Sequence, residues 1–351
     1  MTPPPPPIKP TIAVSMGDPG GIGPEVLVKA LADPDLRRSA RFFIHGLSEP
    51  MLAAAESANI PPFWWRVRAG SAVLDTAASH EVVLIDHAEM ASDLHWSDSG
   101  DRKPTKASGA LSFRFVDDAI AAAKGEIPAH PTADAVVTAP ISKHAWALAG
   151  HSRWPGHTEL LAERFGATRS RMAFVAPNLR VILVTAHIPL MRIASDLTIG
   201  RVHDTIDLGA DLCRAMGIER PRIAVAGLNP HAGEEGLLGD EEKRIIAPAL
   251  AHAQRNGIVV EGPFPGDTIF NAAIKGRYDL VVAMYHDQGL IPVKLLAFDS
   301  AVNITTGLPV WRTSPDHGTA YDIAGKKAAD CGSMKESLKL AVRLASASMG
   351  C

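Results

Sequence analysis

The chain has 351 residues, with 35 Lys and Arg against 38 Asp and Glu and a formal net charge of −3; that balance lacks the cationic surface that nucleic acid or an anionic membrane requires. Its length exceeds the size at which one hydrophobic core usually stops growing, so two domains or one elaborate α/β unit are expected. Three cysteines, Cys213, Cys331 and Cys351, are widely spaced and odd in number, which fits a reducing compartment and no disulfide framework.

The opening MTPPPPPIKP reads as a polyproline II or disordered tail over residues 1–10, because proline has a fixed φ and no amide donor. It lacks the basic start and apolar core of a signal peptide, and no apolar run approaches a membrane span, so a cytoplasmic protein with no membrane partner is expected. From Thr11 onward, short apolar runs alternate with helical stretches: TIAVSM then PEVLVKALAD, RFFIHG then EPMLAAAESANI, EVVLID, and the long SGALSFRFVDDAIAAAKG. After ADAVVTAP the rhythm continues through HTELLAERFG, RMAFVAP, RVILVTAH, a helix around Thr205–Met216, RIAVAGLNP, a helix around Glu241–Asn256, and DLVVAMYH. The alternation means α/β. Loop-rich Ser92–Ala107 and the turns near Pro140 and Gly156 place a domain change at about 130–150.

The turn MGDPGGIGPEV follows a strand and opens a helix, yet Val26 stands where a Rossmann fingerprint needs its third small residue, and no Walker lysine follows. Any nicotinamide therefore binds in another way. Three apolar runs finish on histidine, at His187, His231 and His286. One such histidine alone would more often cap a strand. Three delivered to strand ends, where α/β sheets bind ligands, suit zinc, cobalt, nickel or iron with an open position for substrate. Downstream come Lys294, Asn303 and Arg312, a point charge and a bidentate fork of the kind that holds phosphate or carboxylate. His157 and Thr158 sit at a helix N-terminus after a Pro-Gly turn, where free amides favour an anion; a capping box with Thr158 as the cap is the alternative.

Two segments, GDPGGIGPEV and DHGTAYDIAGK, resemble those of isopropylmalate and isocitrate dehydrogenases, whose NAD(P) lies outside any Rossmann fold. By that resemblance Asp316, His317, Gly318, Thr319 and Ala320 line the adenosine side of the cofactor. Through TAPISK, GHTE, TAHIPL, GLNPHAGE, YHDQGLIPVKLLAFD and RTSPDHGTA, the chain is more closely similar to the 4-hydroxythreonine-4-phosphate dehydrogenase family of pyridoxal phosphate biosynthesis, from about Ile12 to Leu340. The resemblance implies that His187, His231 and His286 hold one divalent ion (zinc, magnesium or cobalt) per subunit. It implies that His157, Thr158, Lys294, Asn303 and Arg312 bind substrate, and that NAD or NADP is the oxidant. It further implies a homodimer, with His286 and the residues after it reaching into the partner's site. The implied fold is two α/β/α domains flanking a cleft, one of residues 11–140 plus about 300–351, the other of about 141–299. Glu235 and Trp311 depart from the family pattern without removing a ligand. Asp287 or a water on the ion is the candidate general base, although an Asp beside a ligand histidine also commonly orients it. Paralogues acting on threonate or erythronate 4-phosphate, or on a dicarboxylic dihydrodiol, share these features, and a three-histidine hydrolase is the rival of another class.

Overall fold

The computed structural model describes residues 9–77, 79–92, 94 and 102–349. The expected tail therefore lies outside the described residues except for Lys9 and Pro10, as does much of the Ser92–Ala107 stretch. The strands in chain order are β1 (Thr11–Ser15), β2 (Arg41–Gly46), β3 (Trp65–Arg68), β4 (Val82–Asp86), β5 (Ala135–Thr138), β6 (Arg171–Ala176), β7 (Leu179–Leu183), β8 (Ile223–Ala226), β9 (Val260–Phe264), β10 (Leu280–Ala283), β11 (Val302–Thr306) and β12 (Trp311–Pro315). Two compact units result. The first comprises Met1–Phe165 and Val310–Cys351, the second Gly166–Pro309.

In the first unit the strands run β3-β4-β2-β1-β5-β12, with parallel pairing throughout. A parallel sheet covered on both faces needs strands apolar on both sides, and β1 and β4 are buried at every position. The helix Lys106–Ala123 starts on a capping box in which Thr105 and Ser108 satisfy one another's backbone amides. In the second unit the order is β11-β6-β7-β10-β8-β9. There β7, β10, β8 and β9 are parallel, while β6 pairs antiparallel with both β7 and β11.

The sequence reading puts the second unit at about 141–299. It starts later because the helices Lys143–Leu148 and His157–Phe165 pack on Lys106–Ala123. It ends later because β11 is stitched to β6 over five residue pairs. The strands β3, β9, β11 and β12 escape the apolar-run reading. β3 exposes three of its four residues, Trp65, Arg66 and Arg68, so its run carries charge where a buried strand would carry Val or Ile. Among the described residues no helix is long and apolar enough to cross a membrane.

Candidate active site

The neighbouring parallel strands β7, β10 and β8 lie side by side in the second unit, and each is followed by one of the three histidines. The histidines do not end the strands themselves. β7 stops at Leu183, four residues before His187; β8 stops at Ala226, five before His231; β10 stops at Ala283, and His286 opens the helix His286–Ala297. All three thus leave the carboxyl edge of adjacent strands, the place where backbone groups are free and loops converge.

The His187 and His286 rings lie 5.7 Å apart, centroid to centroid. His286 Nδ1 is 2.7 Å from Asp287 Oδ1, and His231 Nδ1 is 3.1 Å from Glu234 Oε2. An ionised carboxylate only accepts, so it fixes the proton on Nδ1 and leaves the Nε2 lone pair for a metal. Asp287 therefore occupies the orienting position, and Glu234, which the sequence reading missed, does the same for His231. Gln288 ties two of the strand ends together, accepting from Met284 N at 2.6 Å and donating to Gly227 O at 2.7 Å.

His231 sits on an unusual turn. Residues 231–235 all have positive φ, and four of them carry side chains, a conformation that L-residues adopt at a cost and that clusters at functional sites. Glu235 is one of them. The buried Glu242 carboxylate holds the base of the turn by accepting from Leu228 N and Asn229 N at 2.8 and 2.7 Å. The His231 side chain is 69% exposed. Among the described residues the one trio of potential ligand atoms within 4.8 Å of one another lies elsewhere, at His45, His87 and Asp118. His187, His231 and His286 therefore do not form such a trio within the single chain. Beside these groups His231, Tyr285, Asp287 and Gln288 help line a cavity of about 570 Å³. Lys294 projects from the same helix as His286, with Nζ 5.0 Å from the centre of the Phe298 ring. Asn303, on β11, has a buried Oδ1 with no hydrogen-bond partner.

The first unit gathers the other anion-binding candidates. Arg312 on β12 is buried, and its Nε and Nη2 donate to Thr138 Oγ1 at 3.1 and 2.6 Å. Burial pushes its guanidinium down to about 9, against the pull of Glu159, so it remains a cation at neutral pH. His157 lies near it. Burial, then the charges of Arg312 and Lys143, hold the His157 imidazole well below its usual range, and its Nε2 is buried without a partner. A buried cation beside an unsatisfied imidazole nitrogen is a site prepared for an anionic, hydrogen-bonding group. Lys143 was not singled out in the sequence, although it ends the TAPISK segment just after β5. Thr158 lies inside the helix His157–Phe165, in its first turn, where the alternative reading had it as the cap.

The segments resembling the NAD(P)-linked relatives also meet in this unit. Asp18 is fully buried and accepts from Gly20 N (2.9 Å), Ser108 Oγ (2.9 Å) and Tyr321 Oη (2.7 Å). Burial is the larger influence and raises its carboxyl above the usual range. Ile22 N donates to Thr319 O at 2.9 Å, and a Cβ on Gly21 would stand 2.8 Å from that same carbonyl, so only glycine allows this approach. The glycine turn and the Asp316–Ala320 loop are thereby one substructure. Next to it, Pro19, Gly21, Glu25, Glu49, Arg102 and Gly325 help line a cavity of about 280 Å³.

A model of the pyridoxal phosphate biosynthetic protein PdxA family matches residues 56–341. The chain belongs to the PdxA family. That span includes every metal, substrate and cofactor position named from the sequence. Among PdxA relatives, the 4-hydroxythreonine-4-phosphate dehydrogenase of Geobacter metallireducens is 46% identical over 96% of both chains. The D-threonate 4-phosphate dehydrogenase of Salmonella typhimurium is 43% identical over 95% of this chain and 99% of its own. A crystal structure of 4-hydroxythreonine-4-phosphate dehydrogenase from Klebsiella pneumoniae superposes with a TM-score of 0.80 at 41% identity, covering 96% of this chain and 98% of the other. The α/β fold is thus that of the PdxA family, isocitrate/isopropylmalate dehydrogenase-like rather than Rossmann.

Proposed function

We propose that this chain oxidises the C3 hydroxyl of 4-phosphohydroxy-L-threonine with NAD or NADP, in pyridoxal 5'-phosphate biosynthesis. The product, 2-amino-3-oxo-4-(phosphooxy)butanoate, is a β-keto acid and loses carbon dioxide to give 3-amino-2-oxopropyl phosphate. The observation that carries the reading is the delivery of three imidazoles from three adjacent parallel strands in a chain of this family.

The donor set fits a divalent metal ion: His187, His231 and His286 would hold it, two of them already oriented by carboxylates on Nδ1. When bound, such an ion supplies positive charge beside the alcohol as its proton leaves, and the nicotinamide supplies the hydride acceptor. Arg312 and His157 bind the phosphate end, with Lys294 and Asn303 as further substrate contacts. The Asp316–Ala320 loop, braced through Asp18, holds the adenosine side of the dinucleotide. Asp287 is engaged with His286 Nδ1, so of the two candidate general bases, Asp287 and a water, the contact favours the water.

The working form is a cytoplasmic homodimer. Its support is an apolar surface on the second unit: Met191, Leu237 and Leu295 are 91%, 84% and 82% exposed, with Leu190, Ile291 and Phe298 also exposed. Exposed apolar side chains that gather on one element mark interaction surfaces, and Ile291, Leu295 and Phe298 follow His286 on or just beyond its helix.

The test is absorbance at the reduced-nicotinamide maximum, with metal-replete protein, NAD and 4-phosphohydroxy-L-threonine, beside a chelator-treated control. A metal-dependent rise supports the reading. The likeness to a D-threonate 4-phosphate dehydrogenase favours a second reading, in which the C2 substituent is a hydroxyl. Turnover of D-threonate 4-phosphate alone would establish that one in place of the first.

A further inference from the structure

The first unit contains a second cluster of metal-ligating side chains, far in sequence from the three histidines discussed above. His45 is the fifth residue of β2, His87 follows β4, and Asp118 lies on the helix Lys106–Ala123. β2 and β4 are adjacent and parallel, with His45 in register with Ile85, so both imidazoles leave the same edge of the sheet and the helix lays its carboxylate over them. One ligand atom from each of the three lies within 4.8 Å of the other two. His87 Nε2 and Asp118 Oδ2 are 3.5 Å apart, close to the ligand-to-ligand edge of about 3.4 Å that tetrahedral zinc with bonds of about 2.0–2.1 Å imposes.

We infer that His45, His87 and Asp118 form a second metal site, which takes a borderline divalent transition ion such as zinc or cobalt.

A second observation points to a ligand here. His45 is buried, and neither of its ring nitrogens has a hydrogen-bond partner; His87 Nε2 and His130 Nε2 are buried without one as well. Buried polar atoms in folded proteins are nearly always satisfied, so a group of orphans converging on one place calls for something to satisfy them. The His130 ring stacks on His45 with centroids 5.5 Å apart and planes 11° apart, and its own Nδ1 is 2.6 Å from Pro131 O. It walls the pocket rather than completing the trio.

Electrostatics allow the ion. Arg114 donates to Asp118 Oδ1 at 2.7 Å and leaves Oδ2 turned toward His87. Its charge opposes a cation, but the arginine side chain is half exposed and solvent screens it. Two imidazoles, one monodentate carboxylate and an open fourth position match zinc or cobalt chemistry better than magnesium or calcium, which prefer all-oxygen shells. Such an ion would pin the carboxyl ends of β2 and β4 to the overlying helix, so its effect is on stability rather than on the reaction.

The experiment is equilibrium dialysis of the full-length apoprotein against zinc, repeated with cobalt to read its visible ligand-field band. His187→Ala/His286→Ala is used as the background, so that the other proposed site does not contribute. The expected result is one equivalent per chain, a tetrahedral cobalt spectrum, and a melting temperature that rises with zinc. Adding Asp118→Asn, which preserves volume and can still accept from Arg114, should weaken zinc binding more than about tenfold, the scale that even an outer-sphere partner commands. It should also abolish the zinc-dependent rise while leaving the metal-free melt near that of the background. His87→Gln provides an independent second variant. No bound zinc in the background protein overturns the inference, since water or direct contacts then satisfy these rings. Zinc bound equally well after both substitutions overturns it too. Neither outcome bears on the dehydrogenase reading, which fails only if the unmodified protein does not reduce NAD or NADP.

Discussion

The Tyr321 hydroxyl donates to Asp18 Oδ2 across 2.7 Å, joining residues 303 apart in the chain. The bond locks the glycine turn after β1 to the loop after β12, the two segments that resemble those of NAD(P)-linked relatives. Tyr321→Phe removes it and leaves Asp18 buried with Ser108 and Gly20. Losing one partner of a buried acceptor costs about 1–3 kcal/mol, so a lower urea midpoint is expected. The KM for NAD should rise several-fold with kcat less affected, and steady-state kinetics at varied NAD will check it.

Arg312 presents a fixed fork of donors from β12, which a lysine cannot reproduce. Arg312→Lys should reduce kcat/KM for the phosphorylated substrate by about 10- to 100-fold, the equivalent of one charge-assisted hydrogen bond of about 1.5–3 kcal/mol. An unphosphorylated analogue should lose much less. Equal losses for both substrates would remove Arg312 from the phosphate site.

Asp287→Asn and Glu234→Gln separate orientation from proton transfer. If these carboxylates position His286 and His231, each change should weaken metal binding about 10- to 100-fold while kcat recovers at saturating metal. Titration of activity with cobalt is the measurement. A kcat that stays low at saturating metal for Asp287→Asn would make Asp287 the general base. His286→Ala should lose turnover altogether, as should chelator treatment of the unmodified protein.

Four histidines, His45, His87, His130 and His157, are held below the ordinary imidazole value of 6.5, chiefly by burial. As pH falls below 6.5 the unfolded chain takes up protons that the folded chain excludes, so stability falls. The loss begins at the unfolded value and continues down to each folded one. Within that interval each group contributes a slope of up to about 1.4 kcal/mol per pH unit. Urea melts between about pH 8 and 5 should show a plateau above neutrality and a steep decline below it. His157→Gln should make the decline shallower.

Leu295→Asp places a charge in the exposed apolar surface of the second unit. Sedimentation should show a monomer, and turnover should fall with dimer content. A variant that remains dimeric and active would place the interface elsewhere.

Much of this was legible in the residue pattern because a strand buried on both faces of a sheet demands an uninterrupted apolar run. Those runs located β1, β2, β4, β5, β6, β7, β8 and β10, and three of them pointed to His187, His231 and His286. The pattern could not locate β12, whose five residues include the buried Arg312, because a polar run that is buried looks like a loop. Nor could it find Glu234 or Gln288, whose roles depend on a backbone reversal and on the neighbouring of β8 and β10.

The sequence by itself determined the α/β class, the balance of charge that argues against nucleic acid, and the chemical character of the candidate ligands. Each of these follows from local composition and from spacing along one strand or helix. Only the tertiary structure decided that β7, β10 and β8 are neighbours, that Asp18 reaches Tyr321, and that His45 and His87 converge beneath Asp118. Those relationships are made by strand order and by contacts between distant segments, and no periodicity along the chain encodes which strand lies beside which.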